Sequence, residues 1–442
     1  MRTGAALLGM AVLLAGVAGL ITRWPRSQDS DTLGRLRIYP AWFVQTGLTF
    51  QFAAASGWSA RDSAAARALA RSGQRVIGIE PAGLLDLAAR HPHDCLYLPG
   101  VLEAYSQDSQ RELRGGRYFE PALIGRGAGG TLVYLALLQA PALAFGAGVI
   151  WEPAAELDFA GTFCDLQPRE RAGNRYWPRF DPISSAVPLR TLHGPHSASL
   201  GALYATALTE LRAQAPANPL ADLPLVELPV PVGGELPLAV LYSGDGGWRD
   251  LDRSLAYILQ AHGMPVVGVD VLRYYWTRKL PGPAAADLAR IIPYYQQRWG
   301  RSRVVLIGFS FGANVLPFLV NRLPASVRSA VSLVSLLSPE RSTAFAVDPR
   351  AWLGMGASVG TAIGPELERL PPRLVQCIYG EEEAAASLCT QPAAAGTQVV
   401  RKPGNHHFDG DYEQLAAQIL AAAGAARALS GARGADAARG GP

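Results

Sequence analysis

Val304-Val-Leu-Ile-Gly308-Phe-Ser310-Phe-Gly312-Ala-Asn314 is the stretch whose reading decides the fold of this chain. The apolar, β-branched run over 303–307 reads as a buried strand, and 313–323 reads as an apolar helix that opens directly after it. Between the two stands G-x-S-x-G. At a sharp strand-to-helix turn this pattern lifts a serine to an exposed apex, and the flanking glycines keep neighbouring side chains out of its way. Five residues of this type recur by chance in many proteins. A strand before and a helix after make the match specific. A plain Gly/Ser loop between core elements would not need glycine on both sides of the serine, so Ser310 is read as a nucleophile.

A serine of this kind needs a base to take its proton and an acid to orient that base. In α/β-hydrolases they follow in the chain order Ser, Asp/Glu, His. Residues 374–379 read as a strand running into Gly380-Glu381-Glu382-Glu383. A carboxylate three residues past a strand-ending glycine favours Glu383, with Glu382 as the alternative; a solvated acidic turn explains any single glutamate equally well. The base is expected in Gly404-Asn-His406-His407, after Val399-Val400, with His406 preferred over His407 on its G-x-H spacing. Donors for the oxyanion are expected in Ser243-Gly244-Asp245-Gly246-Gly247-Trp248, which follows an early strand over 236–242. The N–H groups of Gly246, Gly247 and Phe311 are the candidates. A phosphate-binding reading of this loop is the weaker one: neither G-K-[ST] nor G-x-G-x-x-G is present there.

With 442 residues, 49% hydrophobic and 17% charged, the chain has material for two or three packed domains. The net charge of +4 is small and shows no basic stripe, so nucleic acid is not an expected partner. The excess of arginine over lysine reads as compositional bias. No motif calls for a metal or another cofactor. Residues 1–24 contain an apolar run, Ala5 to Ile21, that suits a signal peptide or a membrane anchor. No A-x-A cleavage site marks its end, and arginines lie on both sides of it. The four cysteines carry no C-x-x-C spacing. They divide as Cys95 with Cys164 and Cys377 with Cys389, one pair in each half, which suits an oxidising compartment and export.

The chain also resembles itself. Trp58 to Gly73 and Trp248 to Gly263 are both fifteen residues apart, and Trp58 to Glu80 and Trp248 to Asp270 both twenty-two. Glycine loop, helix, glycine cap, strand and terminal acid recur without a gap. The first copy has its own elbow, Gly125-Arg126-Gly127-Ala128-Gly129, with Gly127 where the nucleophile should stand. The expectation is therefore two tandem α/β-hydrolase-like domains. The first (35–213) is catalytically degenerate, with His193 and His196 its only candidate bases; the second (235–424) carries a Ser-Glu-His triad. A proline-rich linker is expected over 214–234 and a disordered Ala/Gly/Arg tail over 425–442.

Ser243-Gly-Asp-Gly-Gly-Trp248, Gly308-Phe-Ser-Phe-Gly-Ala-Asn314, Gln376-Cys-Ile-Tyr-Gly-Glu381 and His406-His-Phe-Asp-Gly-Asp-Tyr412 resemble the VirJ/AcvB family of bacterial virulence proteins. The two-copy layout is most similar to the longer, AcvB-like members. The resemblance implies a periplasmic α/β-hydrolase that removes the aminoacyl group, typically lysyl, from aminoacylated phosphatidylglycerol. It implies a membrane phospholipid as substrate, and secretion-system proteins as partners. It carries the family's serine to Ser310, its histidine to the His406–His407 pair and its acid to Glu381–Glu383. Asp245, Trp248 and Tyr275, with Asp270, Tyr274 and Trp276, are candidates to receive a cationic acyl group, although core packing explains Tyr274–Trp276 as well. A lipase or peptidase of other specificity and a non-enzymatic secretion adaptor are the rival readings. The complete Ser, Glu, His set speaks against the adaptor.

Overall fold

The computed structural model describes residues 24–90, 95–112, 118–141, 143–180, 187–193, 199–213, 219–231, 234–347 and 360–424. The expected leader, the C-terminal tail and His196 lie outside them, apart from Trp24. The chain divides into two compact units, Met1–Pro216 and Ala217–Pro442.

In the first unit, β1 (Arg26–Ser30), β2 (Gly34–Tyr39), β3 (Gly47–Phe52), β4 (Gln74–Ile79), β5 (Ala122–Gly127) and β6 (Ala147–Pro153) lead to a small three-stranded sheet. That sheet consists of β7 (Leu157–Asp158), β8 (Glu170–Ala172) and β9 (Arg175–Trp177), and β10 (Leu189–Leu192) follows. The main sheet runs β1-β2-β4-β3-β5-β6-β10. Its members are parallel from β4 onward, with β2 antiparallel to β4 and β1 antiparallel to β2.

In the second unit the strands are β11 (Leu225–Leu228), β12 (Leu238–Tyr242), β13 (Val266–Val269), β14 (Val304–Phe309) and β15 (Val331–Leu337). A two-stranded ribbon of β16 (Ser342–Thr343) and β17 (Thr361–Ala362) precedes β18 (Val375–Gly380) and β19 (Gln398–Lys402). The sheet order is β11-β13-β12-β14-β15-β18-β19, with only β11 antiparallel. Every residue of β12, β13, β14 and β18 is buried. Parallel strands covered by helices on both faces need such continuous apolar runs. The chain crosses to the other side of the sheet between β12 and β14, the switch point at which open α/β sheets place their ligands.

The repeat seen in the sequence has a packing cause. Trp248 lies across Gly268 of β13, so close that a Cβ there would stand 2.2 Å from the indole, and Trp58 lies across Gly78 of β4 at 2.4 Å. Both units need a bare backbone at that point. Two boundaries differ from the sequence reading. β1 and part of β2 precede residue 35 and belong to the first sheet. Leu225-Val-Glu-Leu228 is not linker: its alternating inward residues, Val226 and Leu228, are buried, and it pairs with β13. Prolines on either side hid a four-residue edge strand. Cys95 bridges Cys164 and Cys377 bridges Cys389, one disulfide in each unit as expected, which indicates an extracytoplasmic protein. Among the described residues no helix is long and apolar enough to cross a membrane.

Candidate active site

Ser310 follows β14 and precedes a helix over Phe311–Arg322, with φ 52° and ψ −115°. A non-glycine residue held there is strained, and it persists only because its surroundings fix it. Ser310 N–H donates to the Leu337 carbonyl at 2.9 Å, and its own carbonyl accepts from Asn314 N–H at 3.0 Å. The glycines of the motif answer to close backbone contacts. A Cβ on Gly312 would meet the Tyr242 carbonyl at 2.2 Å, and one on Gly308 would meet Gly312 itself at 2.5 Å. The elbow is therefore wedged against the end of β12.

The residues expected as acid and base come from the ends of β18 and β19. His406 Nδ1 and Glu383 Oε1 are 2.5 Å apart, and the imidazole packs at a tilt of 45° against Phe309, beside the serine, with ring centroids 5.1 Å apart. The other two glutamates are turned elsewhere. Glu381 pairs with Arg401 at 2.8 Å, and Glu382 is exposed. Gly380 lets the acid turn abut the histidine loop, since a Cβ there would strike the Asn405 carbonyl at 2.3 Å. His407 is exposed, and its N–H donates to Asn405 Oδ1 at 2.8 Å. The structure thus brings together Ser310's neighbour, His406 and Glu383, and leaves Glu382 and His407 at the periphery.

The loop after β12 shows which N–H groups are committed. Gly247 N–H closes a turn on the Gly244 carbonyl at 3.1 Å, and its α-carbon faces Leu272 and Asp270. Gly247 is therefore not an oxyanion donor, a correction to the sequence reading; its φ of 86° is what the turn requires. Gly246 N–H has no hydrogen bond among the described residues. Phe311, first in its helix, has no intrahelical carbonyl to bond. At Gly244, in the same loop, a Cβ would lie 3.7 Å from that of Ser310.

Most of the proposed acyl-group contacts are core instead. Trp248 is spent on Gly268. Tyr275 is fully buried and packs on Phe311 with centroids 5.1 Å apart. Asp270 is buried, accepts from Trp248 N–H and Arg273 N–H, and pairs with the Arg273 guanidinium. Tyr274 donates to Asp287 at 2.7 Å, and Trp276 packs against the core. Asp245 remains, half-buried beside the site.

Sequence reasoning missed Glu340, on the loop leaving β15. Its N–H donates to Asn314 Oδ1 at 2.8 Å, and its Oε2 accepts from Asn314 Nδ2 at 3.1 Å. Enclosure by the surrounding protein raises its carboxyl above the ordinary value. His406 and Asn314 oppose that rise, and the charges of Asp245 and Glu383 add to it. Ser338, two residues earlier, donates to the His406 carbonyl at 3.2 Å. The only sequence signal was the asparagine that closes the quoted stretch, whose partner lies 26 residues away.

Residues 237–427 match the family described as bacterial virulence protein VirJ. Several solved structures are similar. Est1E from Butyrivibrio proteoclasticus shares 14% identity over 46% of this chain and 93% of its own, with a TM-score of 0.35. A serine hydrolase without lid from Xanthomonas campestris shares 16% over 45% and 87%, with a TM-score of 0.31. An esterase from Pyrobaculum calidifontis shares 17% over 46% and 87%, also with a TM-score of 0.31. No curated protein matches the chain. At these scores the likeness adds nothing to what the strand order and elbow already state.

Proposed function

We propose, on the premise that the second unit belongs to the VirJ family of bacterial virulence proteins, that the chain is a serine hydrolase. Its substrate would be the aminoacyl ester of aminoacylated phosphatidylglycerol, typically the lysyl form, at the periplasmic face of the membrane. The observation that carries the reading is the strained Ser310 elbow flanked by a bonded Glu383–His406 pair at 2.5 Å. The carboxylate fixes the tautomer that leaves Nε2 free to accept a proton. Ser310 Oγ attacks the acyl carbon as its proton passes to His406, and the oxyanion turns toward the N–H groups of Phe311 and Gly246. The lipid hydroxyl leaves with the proton from His406. Water activated by the same histidine then releases the amino acid from Ser310.

Asp245 and Glu340 place carboxyl groups around the site, which suits a cationic acyl group better than an anionic one. The test is incubation of the purified chain with vesicles containing lysyl-phosphatidylglycerol. Free lysine and phosphatidylglycerol should appear together. Cleavage of a simple aryl ester without lysine release would point to another specificity, and no cleavage of either would favour a non-enzymatic secretion role.

A further inference from the structure

We infer that the first unit docks on a lipid bilayer through the loop that follows β2. Trp42, Phe43 and Val44 are consecutive there and are 37%, 72% and 82% exposed. Three apolar residues in a row facing water are unfavourable unless something covers them. The loop does not hide them by folding back, because both its ends are fastened. Trp42 N–H donates to the Ala70 carbonyl at 3.0 Å and Thr46 N–H to the Gly73 carbonyl at 2.8 Å, so the tip is held outward.

The strand register identifies what covers the tip. Arg26 of β1 lies opposite Ile38 of β2. Two residues back along β1 is Trp24, 71% exposed, and two residues forward along β2 the loop begins. The described chain therefore begins at the same end of the sheet that carries Trp42, Phe43 and Val44, and the sequence ahead of it is the apolar run Ala5–Ile21. Trp24 and the apolar loop thus share one edge, and the sequence that precedes Trp24 is one suited to a membrane. The charges agree: Arg26 is exposed on β1, and the Arg71 guanidinium lies 4.9 Å from the Trp42 ring. Tryptophan backed by arginine is the pairing that settles at a headgroup boundary, ring inward and cation toward phosphate. This inference stands on the first unit alone and does not depend on the catalytic reading.

The test uses the full chain with Val44→Cys carrying an environment-sensitive fluorophore, and Arg175→Cys, an exposed position of β9, as the reference position. Vesicles of phosphatidylethanolamine and phosphatidylglycerol, with or without a spin-labelled lipid, are added. The Val44 label should shift to the blue and be quenched by the spin-labelled lipid, while the Arg175 label does neither. Adding Phe43→Asp should return the Val44 label to the behaviour of the reference. Three outcomes overturn the inference: a Val44 label that stays in water, equal quenching at both positions, or emission already blue-shifted before vesicles are added. The last would mean that the chain's own N-terminal segment or a second copy covers the loop. Hydrolysis of a water-soluble ester by the Phe43→Asp variant is measured in parallel and should be unchanged, so a failure here is separable from a failure of the hydrolase reading.

Discussion

The two units share a sheet and an elbow and differ in what the elbow holds. Gly127 keeps φ 54° and ψ −128°, nearly the angles of Ser310, yet offers no side chain. The position before it is Arg126 in the first unit and Phe309 in the second. Arg126 reaches back to a buried aspartate, Asp62, at 2.8 Å. Phe309 instead supports the His406 ring, and the matching aspartate, Asp252, receives only Gly244 N–H at 3.4 Å, its other oxygen unpartnered. Among the described residues the first sheet ends at β10, with no counterpart of β19. His193 follows β10, which corresponds to the acid strand, so among the described residues the first unit shows no strand on which a base would hang. A fold can lose its chemistry at one end of the sheet while keeping the backbone that once served it.

The largest expected effect separates the elbows. Ser310→Ala should lower ester turnover at least about 10⁴-fold with the melting curve unchanged. Adding Gly127→Ser should restore nothing, because the new hydroxyl would have no oriented base. Recovery clearly above the single variant would show that the first unit kept a working site.

Next come the bridges. Replacing Cys95 and Cys164 with alanine removes a closure over 69 residues and should cost about 4 kcal/mol. Replacing Cys377 and Cys389 removes one over 12 residues, and should cost about 3 kcal/mol. The second bridge spans the turn bearing Glu383, so its loss should also lower turnover; the first should not. Denaturant curves and ester assays on both variants read the difference.

Much of the second unit was legible because chemistry and patterning coincide there. The elbow, acid turn and histidine loop each follow an apolar run, and the Trp–Gly spacing betrayed the duplication. Glu340 and the Arg126–Asp62 pair were not legible, because they are contacts between residues 26 and 64 positions apart. Gly247 was misread because glycine serves a tight turn and an oxyanion loop equally well in sequence. Tyr275 and Trp248 were misread because an aromatic beside a catalytic loop looks the same whether it faces the core or the pocket.

Two smaller effects sharpen the contrast between the aspartates. Burial alone would raise the Asp62 carboxyl, but hydrogen bonds from Arg126 and Ser59 bring it below the usual 3.8. Asp62→Ala should therefore cost about 3 kcal/mol by stranding Arg126. The stability that Asp62 contributes is present above about pH 4 and is lost on further acidification. Asp252 is the reverse: burial, then the charges of Asp270 and Asp250, push its carboxyl well above 3.8. It favours the folded state below that value, and the advantage falls as pH rises toward its folded pKa. Asp252→Asn should remove that slope at a cost of less than about 1 kcal/mol. Stability that rises with pH through the same interval, or a loss of several kcal/mol, would mean that Asp252 is charged and paired.

The indole lying on a bare backbone in each unit has a consequence for descent. Neither partner can change alone: a methyl on Gly78 or Gly268 has no room beside the ring, and without the ring the strand would face a void. Two positions bound in this way resist drift together. The mark of the doubling is thus carried by packing rather than by the residues of a site.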